Sequence, residues 1–352
     1  MKAFTKLKTF CLLILGSLLV SCSAMNSLTI PVTEPAPVFL PPSVRAVGIL
    51  DRSLPGEKTE KMDKIDKILS VEGVNLDKEA AATVTTALLD ELTALKRFEQ
   101  VGMIESPDTK NPGMGVFPAM MSWDQISRLC DANGIDAIIA LSFFDTDTNV
   151  KYDADAVSVQ APFGVKIPAL RTQAVSTTLM KVGWRLYDAN SQLVVDEFTM
   201  LDEVVVEGSG MNPLNAVKAI TVDRKEQILN VSNHIGRSYA SRLYPYESIV
   251  SRNYFVKGAN NFEVAKRRAQ TGDWDGAAEL WEQELKNRKA KVAGRAYYNM
   301  AIINEINGDL EKAIELASQS YSDYNNKEAL NYVKILQNRL ERIKELEQQN
   351  SQ

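Results

Sequence analysis

One histidine and three cysteines in 352 residues leave this chain short of the groups that hold metals or run thiol chemistry. A zinc site needs three or four nitrogen and sulfur ligands, and that set is missing. A disulfide framework is excluded as well. Cys11 lies in an N-terminal apolar run, Cys22 follows that run, and only Cys130 sits deep in the chain, so the fold must be held by its core. Basic charge is also scarce. Lys and Arg total 40 against 45 Asp and Glu, a net charge of −5, and loss of residues 1–21, with three lysines and no acid, takes it to −8. An acidic chain of this kind is drawn neither to nucleic acid nor to an anionic surface, which argues against a nucleic-acid partner. The N-terminal uncharged stretch, Phe10 to Val20, has 11 residues. That is too short to span ~30 Å of hydrocarbon as a helix. What is present is the composition of a folded globular protein, 45% hydrophobic and 24% charged, long enough for two or three structural units.

The N-terminus carries positive residues (Lys2, Lys6, Lys8), then that apolar stretch, the layout of a secretory leader. It ends in Leu19-Val20-Ser21-Cys22, which resembles the lipobox of bacterial lipoproteins. The resemblance implies cleavage before Cys22 and acylation of its sulfur and amine. Several acyl chains anchor stably, at about 0.8 kcal/mol per buried CH₂. Ser23 is not the aspartate of inner-membrane retention, and no acidic export cluster follows, so the resemblance places the protein on the periplasmic face of the outer membrane. Residues 22–43 read as the lipidated cysteine and a Pro-rich extended tether, with Pro31, Pro35, Pro37, Pro41 and Pro42.

Residues 44–245 read as an α/β domain. Val44 to Leu50 is a short apolar run, a buried strand, and Ser53 to Asn75 reads as a loop. From Asp77 a helix carries Ala81, Val84, Leu88, Leu92 and Leu95 on one stripe. Phe98 to Met103 reads as a strand. Ser122 and Gln125 form a capping box for a second helix, which Asn133-Gly134 stops and in which Cys130 is a small buried hydrophobe. Ala137 to Phe144 is continuous enough for a central strand. Met180, Val182, Trp184 and Leu186 alternate with Lys181, Gly183, Arg185 and Tyr187, the pattern of a half-buried strand whose turn at residues 188–191 returns through Leu193 to Val206. Pro213 opens a helical stretch towards Leu243, with a break expected near Thr221. The fold class is therefore α+β, a mixed sheet with packed helices in the order β-α-β-α-β-β-β-α, followed by an all-α unit. That order, with the Trp184-Arg185-Leu186-Tyr187-Asp188 hairpin, resembles the N-terminal domain of the Tol-system translocation protein and the core of the curli-secretion lipoprotein.

In the last hundred residues Gly272-Asp273-Trp274 and Gly308-Asp309-Leu310 stand 36 positions apart, each with an alanine (Ala277, Ala313) five residues beyond its glycine. With Tyr297-Tyr298-Asn299-Met300-Ala301, this resembles tetratricopeptide repeats over residues 246–325. The spacing of Leu330, Val333, Leu336, Leu340 and Ile343 predicts a capping helix within residues 326–352. The repeat resemblance implies a concave face bearing Phe262, Lys266, Arg295, Tyr298, Ile302 and Glu305, a groove for an extended peptide or a partner helix. The α/β domain could equally fill that groove. Lipobox, tether, α/β domain, the Arg252-Asn253-Tyr254-Phe255 junction and the repeats together resemble an uncharacterised family of Bacteroidota-type outer-membrane lipoproteins, which implies placement and no activity.

The candidates for chemistry are sparse. His234 and Ser238 share a predicted helical face, but Gly236-Arg237-Ser238-Tyr239-Ala240 is not the G-x-S-x-G elbow, which needs a strand-to-helix turn. Asp145, Asp147 and Asn149 suggest a calcium loop, yet Val150 and Ala156 stand where glycine and glutamate are required, and an acidic turn is the simpler reading. Gly113-Met114-Gly115 and Gly208-Ser209-Gly210 read as loops. Lys286, Arg288, Lys289, Lys291 and Arg295 form a basic cluster, expected at a helix C-terminus or facing an acidic peptide. The sequence thus points to no cofactor and no catalytic residues. It suggests a lipid-anchored periplasmic scaffold that binds envelope proteins or peptides. An oligomeric secretion or envelope-assembly component, and a hydrolase of unknown substrate, are the alternatives.

Overall fold

The computed structural model describes residues 24–53, 64–110, 116–160, 162–164 and 166–350. The leader, Cys22 and Gly113-Met114-Gly115 lie outside them. The chain divides into two compact units, one running from Ala36 to Pro245 and one joining the N-terminal residues through Pro35 to Tyr246 and beyond.

The first strand, β1 (Met25–Glu34), belongs to the second of these units. Met25 to Glu34 is not part of the free tether expected from Pro31 and the prolines that follow it. It pairs antiparallel with a distant strand, β7 (Tyr246–Phe255), in register from Met25 opposite Phe255 to Glu34 opposite Tyr246. A two-stranded ribbon leaves each strand one unpaired edge, and this is why Pro31 is tolerated in it.

The mixed-sheet unit follows the expected order. It contains β2 (Ala46–Asp51), α1 (Lys64–Leu95), β3 (Gln100–Ile104), α2 (Trp123–Asn133), β4 (Ala137–Gln160), β5 (Lys166–Asp188), β6 (Leu193–Gly210) and α3 (Pro213–Ser241). The sheet order is β3-β2-β4-β5-β6, parallel across β3-β2-β4 and antiparallel from β4 onward. Helices α1 and α3 cover one face. There Val47, Ile49, Val84, Leu88, Leu92, Ile139, Leu141, Trp184 and Leu186 form the main core, with Trp184 stacked on Tyr239 at 4.7 Å. Helix α2 covers part of the other face through Ile126 and Cys130, against Leu50, Ile138 and Tyr187. Its capping box is formed by Ser122 and Gln125, and Gly134 closes it at φ 63°. Burial pushes the Cys130 thiol up to about 11, as befits a small core hydrophobe.

Five local expectations are corrected. Gly208-Ser209-Gly210, read as a loop, is the end of β6, paired with β5. Residues 64–75, read as loop, are the first turns of α1. Leu95, at its C-terminal end, is exposed and leaves the apolar stripe. Helix α3 runs unbroken through Thr221, whose hydroxyl donates to the Val217 carbonyl at 3.1 Å within the helix. The strand beginning at Ala137 continues to Gln160, so Asp145, Asp147 and Asn149 lie in a strand and form neither a calcium loop nor an acidic turn.

The second unit adds α4 (Asn260–Gln270), α5 (Trp274–Gln283), α6 (Ala290–Ile306), α7 (Leu310–Ser322) and α8 (Lys327–Asn350) to the β1–β7 ribbon. The helices form two hairpins and a capping helix. The hairpin turns hold Gly272 at φ 85° and Gly308 at φ 83°, left-handed backbone that glycine adopts without a Cβ penalty. The adjacent Asp273 and Asp309 each cap the following helix. The basic cluster is not at a helix C-terminus. It occupies the connection after α5 and the first turns of α6, with Lys289 at the N-cap.

Candidate interaction surfaces

Strand β7 fills the repeat face from within its own unit. Phe262, Ile302 and Glu305 are fully buried and Tyr298 nearly so, while Lys266 is half-buried on α4. Arg295 donates to the Lys257 carbonyl at 2.5 Å and lies over the Phe255 ring, 4.8 Å from its centroid. Asn299 donates to the Phe255 carbonyl at 2.7 Å and accepts from the Phe255 amide at 2.8 Å, so its side chain takes the place of a neighbouring strand. Glu305 accepts from Arg252 Nη2 (2.8 Å), Arg339 Nη1 (2.5 Å) and the Tyr332 hydroxyl (2.7 Å). Burial alone would raise the Glu305 carboxyl, but the hydrogen bonds from Arg252, Tyr332 and Arg339 outweigh it and hold the group below its ordinary value. Burial pushes the Tyr298 phenol up to about 12. Of the six residues expected to line an open groove, Phe262, Tyr298, Ile302 and Glu305 are therefore parts of a packed interior, Arg295 is engaged by the segment after β7, and Lys266 stays half-buried on α4.

In the mixed-sheet unit a small cleft of about 190 Å³ opens at the carboxyl end of β2, lined by Asp51, Ser53, Asp77, Lys78, Ala81, Lys110 and Phe144. Parallel sheets bind ligands at this end, where successive connections leave in opposite directions. Its carboxylates are engaged by the chain itself. Asp51 accepts from the Ser53 amide and hydroxyl at 2.8 and 2.7 Å and pairs with Lys110 at 3.3 Å, while Asp77 accepts from the Thr146 hydroxyl at 2.7 Å. The sequence signal was Asp51-Arg52-Ser53 directly after an apolar strand.

The larger open surface lies on the sheet. A register shift between Leu141 and Phe143 turns β4 over, so that Phe144 continues the helix-covered face begun by Ile139 and Leu141. From there Asp145, Asp147 and Asn149 point to the opposite face, across from Lys181, Leu179 and Thr177 of β5. These in turn lie across from Leu201, Glu203 and Val205 of β6. Leu201 is 64% exposed, Val205 53% and Leu179 44%, on a face with charged flanks and with β6 as an open edge. The acidic residues noticed in the sequence thus share this face with three exposed apolar side chains set among charged and polar ones; the bulge that puts them there has no sequence signature.

His234 Nε2 and Ser238 Oγ are 3.3 Å apart on α3, with the imidazole exposed. Among the described residues no carboxylate hydrogen-bonds that ring, and no group of three or more His, Cys, Asp or Glu is placed to hold a metal. No helix among them is long and apolar enough to cross a membrane.

A mixed α/β sheet unit and a helical-hairpin unit define the architecture. Residues 44–255, more than half of the sequence, match the model of a family described as a domain of unknown function, DUF8603, and the chain belongs to that family. Residues 263–338 match a second domain of unknown function, DUF6340. No curated protein matches the chain. Among solved structures it is similar to the PelC dodecamer from Paraburkholderia phytofirmans, with 9% identity, a TM-score of 0.27, and coverage of 62% of this chain and 99% of that one. It is also similar to a protein described as a neuraminyllactose-binding hemagglutinin homolog from Helicobacter pylori, with 10% identity, a TM-score of 0.25, and coverage of 56% and 84%. At these scores neither likeness bears on function.

Proposed function

We propose that this is a non-enzymatic scaffold protein of the cell envelope, anchored through acylated Cys22 to the periplasmic face of the outer membrane, of the Bacteroidota lipoprotein type, and that it binds other envelope proteins. The observation that carries the binding role is the uncovered face of β4-β5-β6, where Leu179, Leu201 and Val205 stand exposed between charged neighbours. Large apolar side chains left exposed among charged ones are a feature of protein contact surfaces. The filled repeat face moves the expected contact from the helical repeats to this sheet.

The test has two parts. Cys22→Ala should shift the protein from the membrane to the soluble fraction; retention in the membrane fraction rejects the anchor. A photo-crosslinking residue at position 201 should give discrete protein adducts in intact envelopes that Leu179→Glu abolishes. Adducts unchanged by that substitution, or none at all, reject the surface.

A second reading, an oligomeric secretion or envelope-assembly component, is favoured by the outer edge of β6, an 18-residue strand whose outward-facing backbone groups have no strand partner among the described residues. It predicts a defined oligomer in detergent, and a monodisperse monomer removes it.

A further inference from the structure

In the helical unit strand β7 runs against the direction of α6. Arg252 meets Glu305 at 2.8 Å, the Phe255 amide meets Asn299 at 2.8 Å, and the Lys257 carbonyl meets Arg295 at 2.5 Å. Followed past Lys257, this direction leads to the first turns of α6 and the connection from α5. Strand β1 is antiparallel to β7, so its N-terminal end arrives there too; the Ala24 carbonyl accepts from the Val256 amide at 2.9 Å. Cys22 precedes Ala24 by two positions, at most about 7 Å of extended chain. Ala24 and the first turns of α6 therefore lie at one end of the unit.

A basic run sits at that end. Lys286, Arg288, Lys289 and Lys291 are all exposed, and no Asp or Glu occurs from Leu285 to Asn304. Glu284, just before them, is buried and accepts from Asn287 at 2.5 Å. Among the described residues none of the four cations enters an ion pair, and the acids on the adjoining helix ends, Glu282, Asp323 and Glu328, are no exception. The helix gains nothing from them either. Lys289 is the N-cap of α6 without a side-chain cap bond, and no acid stands in the first turn. Cations there face the positive end of the helix dipole.

We infer that these four side chains dock on anionic phospholipid headgroups around the acylated Cys22, so that the helical unit meets the membrane with the N-terminal end of α6. The inference rests on the anchor proposed above and adds to it the lipid class and the face presented. Two observations select this occupant. Four unpaired cations side by side suit a surface of many anions, and the chain end that would carry the acyl groups leaves beside them. The net charge of −5 does not oppose the contact. Repulsion of the acidic remainder and attraction of one basic end turn the same end to the surface. The acyl chains retain the protein, and the headgroup contact sets its orientation.

The test uses the full processed chain, purified with its acyl groups and placed in nanodiscs, with Ala290→Cys carrying a nitrobenzoxadiazole label. Cys130 is buried, which directs the label to position 290. In discs of phosphatidylethanolamine and phosphatidylglycerol, headgroup spin-labelled lipid should quench position 290 at least fivefold more than the same label at Asn307→Cys. That position lies at the other end of α6, about 25 Å away along the helix. The difference should disappear in phosphatidylcholine discs, in about 0.5 M salt, and in Lys289→Glu with Lys291→Glu. Acids suit a helix N-terminus, so this double variant should melt no lower than the parent, which separates lost contact from lost fold. Equal quenching at the two positions overturns the inference, as does quenching at 290 that survives in phosphatidylcholine or in the double variant. A photo-crosslinker at 290 that captures an acidic protein in intact envelopes, and no lipid, also overturns it. An intact mass without acyl groups on Cys22 overturns the anchor, and this inference with it. Acylated protein with position 290 unquenched overturns this inference alone.

Discussion

Asn299 and Glu305, six positions apart on α6, fix a strand that a helical-repeat pattern does not contain. Asn299→Ala removes two hydrogen bonds and leaves the amide and carbonyl of Phe255 unpaired in the interior. The expected loss is about 2–3 kcal/mol, measured by denaturant unfolding. Glu305→Ala leaves Arg252 and Arg339 facing each other, 11% and 17% exposed, without their shared counter-charge. Breaking such a buried pair is expected to cost about 3–5 kcal/mol. Because the native Glu305 pKa lies below its unfolded value, its contribution is fully present above the unfolded carboxyl pKa of about 4.3 and is lost as pH falls through the native value. The stability gap between wild type and Glu305→Gln should therefore narrow on acidification below about pH 4, as thermal unfolding across pH would show; a gap that widens contradicts the assignment. The repeat resemblance placed Glu305 on the concave face of a helix. It could not reveal that the face is taken, because the covering Arg252 lies 53 positions away and in a strand.

At the scale of elements the legible signals were those with local physical causes. The Ser122–Gln125 capping box, the left-handed glycines 134, 272 and 308, and the period-2 run ending at Leu186 each specify backbone within a few residues, and each is found. Strand β1 was hidden because Pro31 within it and the prolines that follow argue against pairing, though Leu28, Ile30 and Val32 already alternate. The contact between α1 and α3 was hidden for another reason. It depends on the absence of a side chain at Gly236, where a Cβ would come within 2.2 Å of the Val84 carbonyl oxygen. A helix-interior glycine usually weakens its helix, and here it permits two helices to approach. Gly236→Ala should thus destabilise the mixed-sheet unit by about 1–3 kcal/mol despite the better helix propensity of alanine. A rise in melting temperature would show that the helices separate freely.

For the whole molecule the consequential feature is that the helical unit is assembled from both ends of the sequence. Met25 and Leu28 of β1 pack against the helical core, Ile30 and Val32 are buried, and Glu34 pairs with Arg342 of α8. Cys22 precedes Met25 by three positions. If Cys22 carries the anchor, a few residues rather than a twenty-residue tether separate the lipid from folded structure, and the helical unit stands next to the bilayer. The topology gives a test that needs no knowledge of the ligand. Leu28→Asp with Ile30→Asp puts carboxylates in apolar positions and should cost about 3 kcal/mol or more. The damage should appear more than 200 positions away. Limited proteolysis should find new cleavage within residues 246–350, while fragments of residues 36–245 stay resistant, since the mixed-sheet core contains no residue of β1. Cleavage confined to the first thirty-five residues would mean instead that β1 is a dispensable strap, and that the helical unit closes its core with β7 alone.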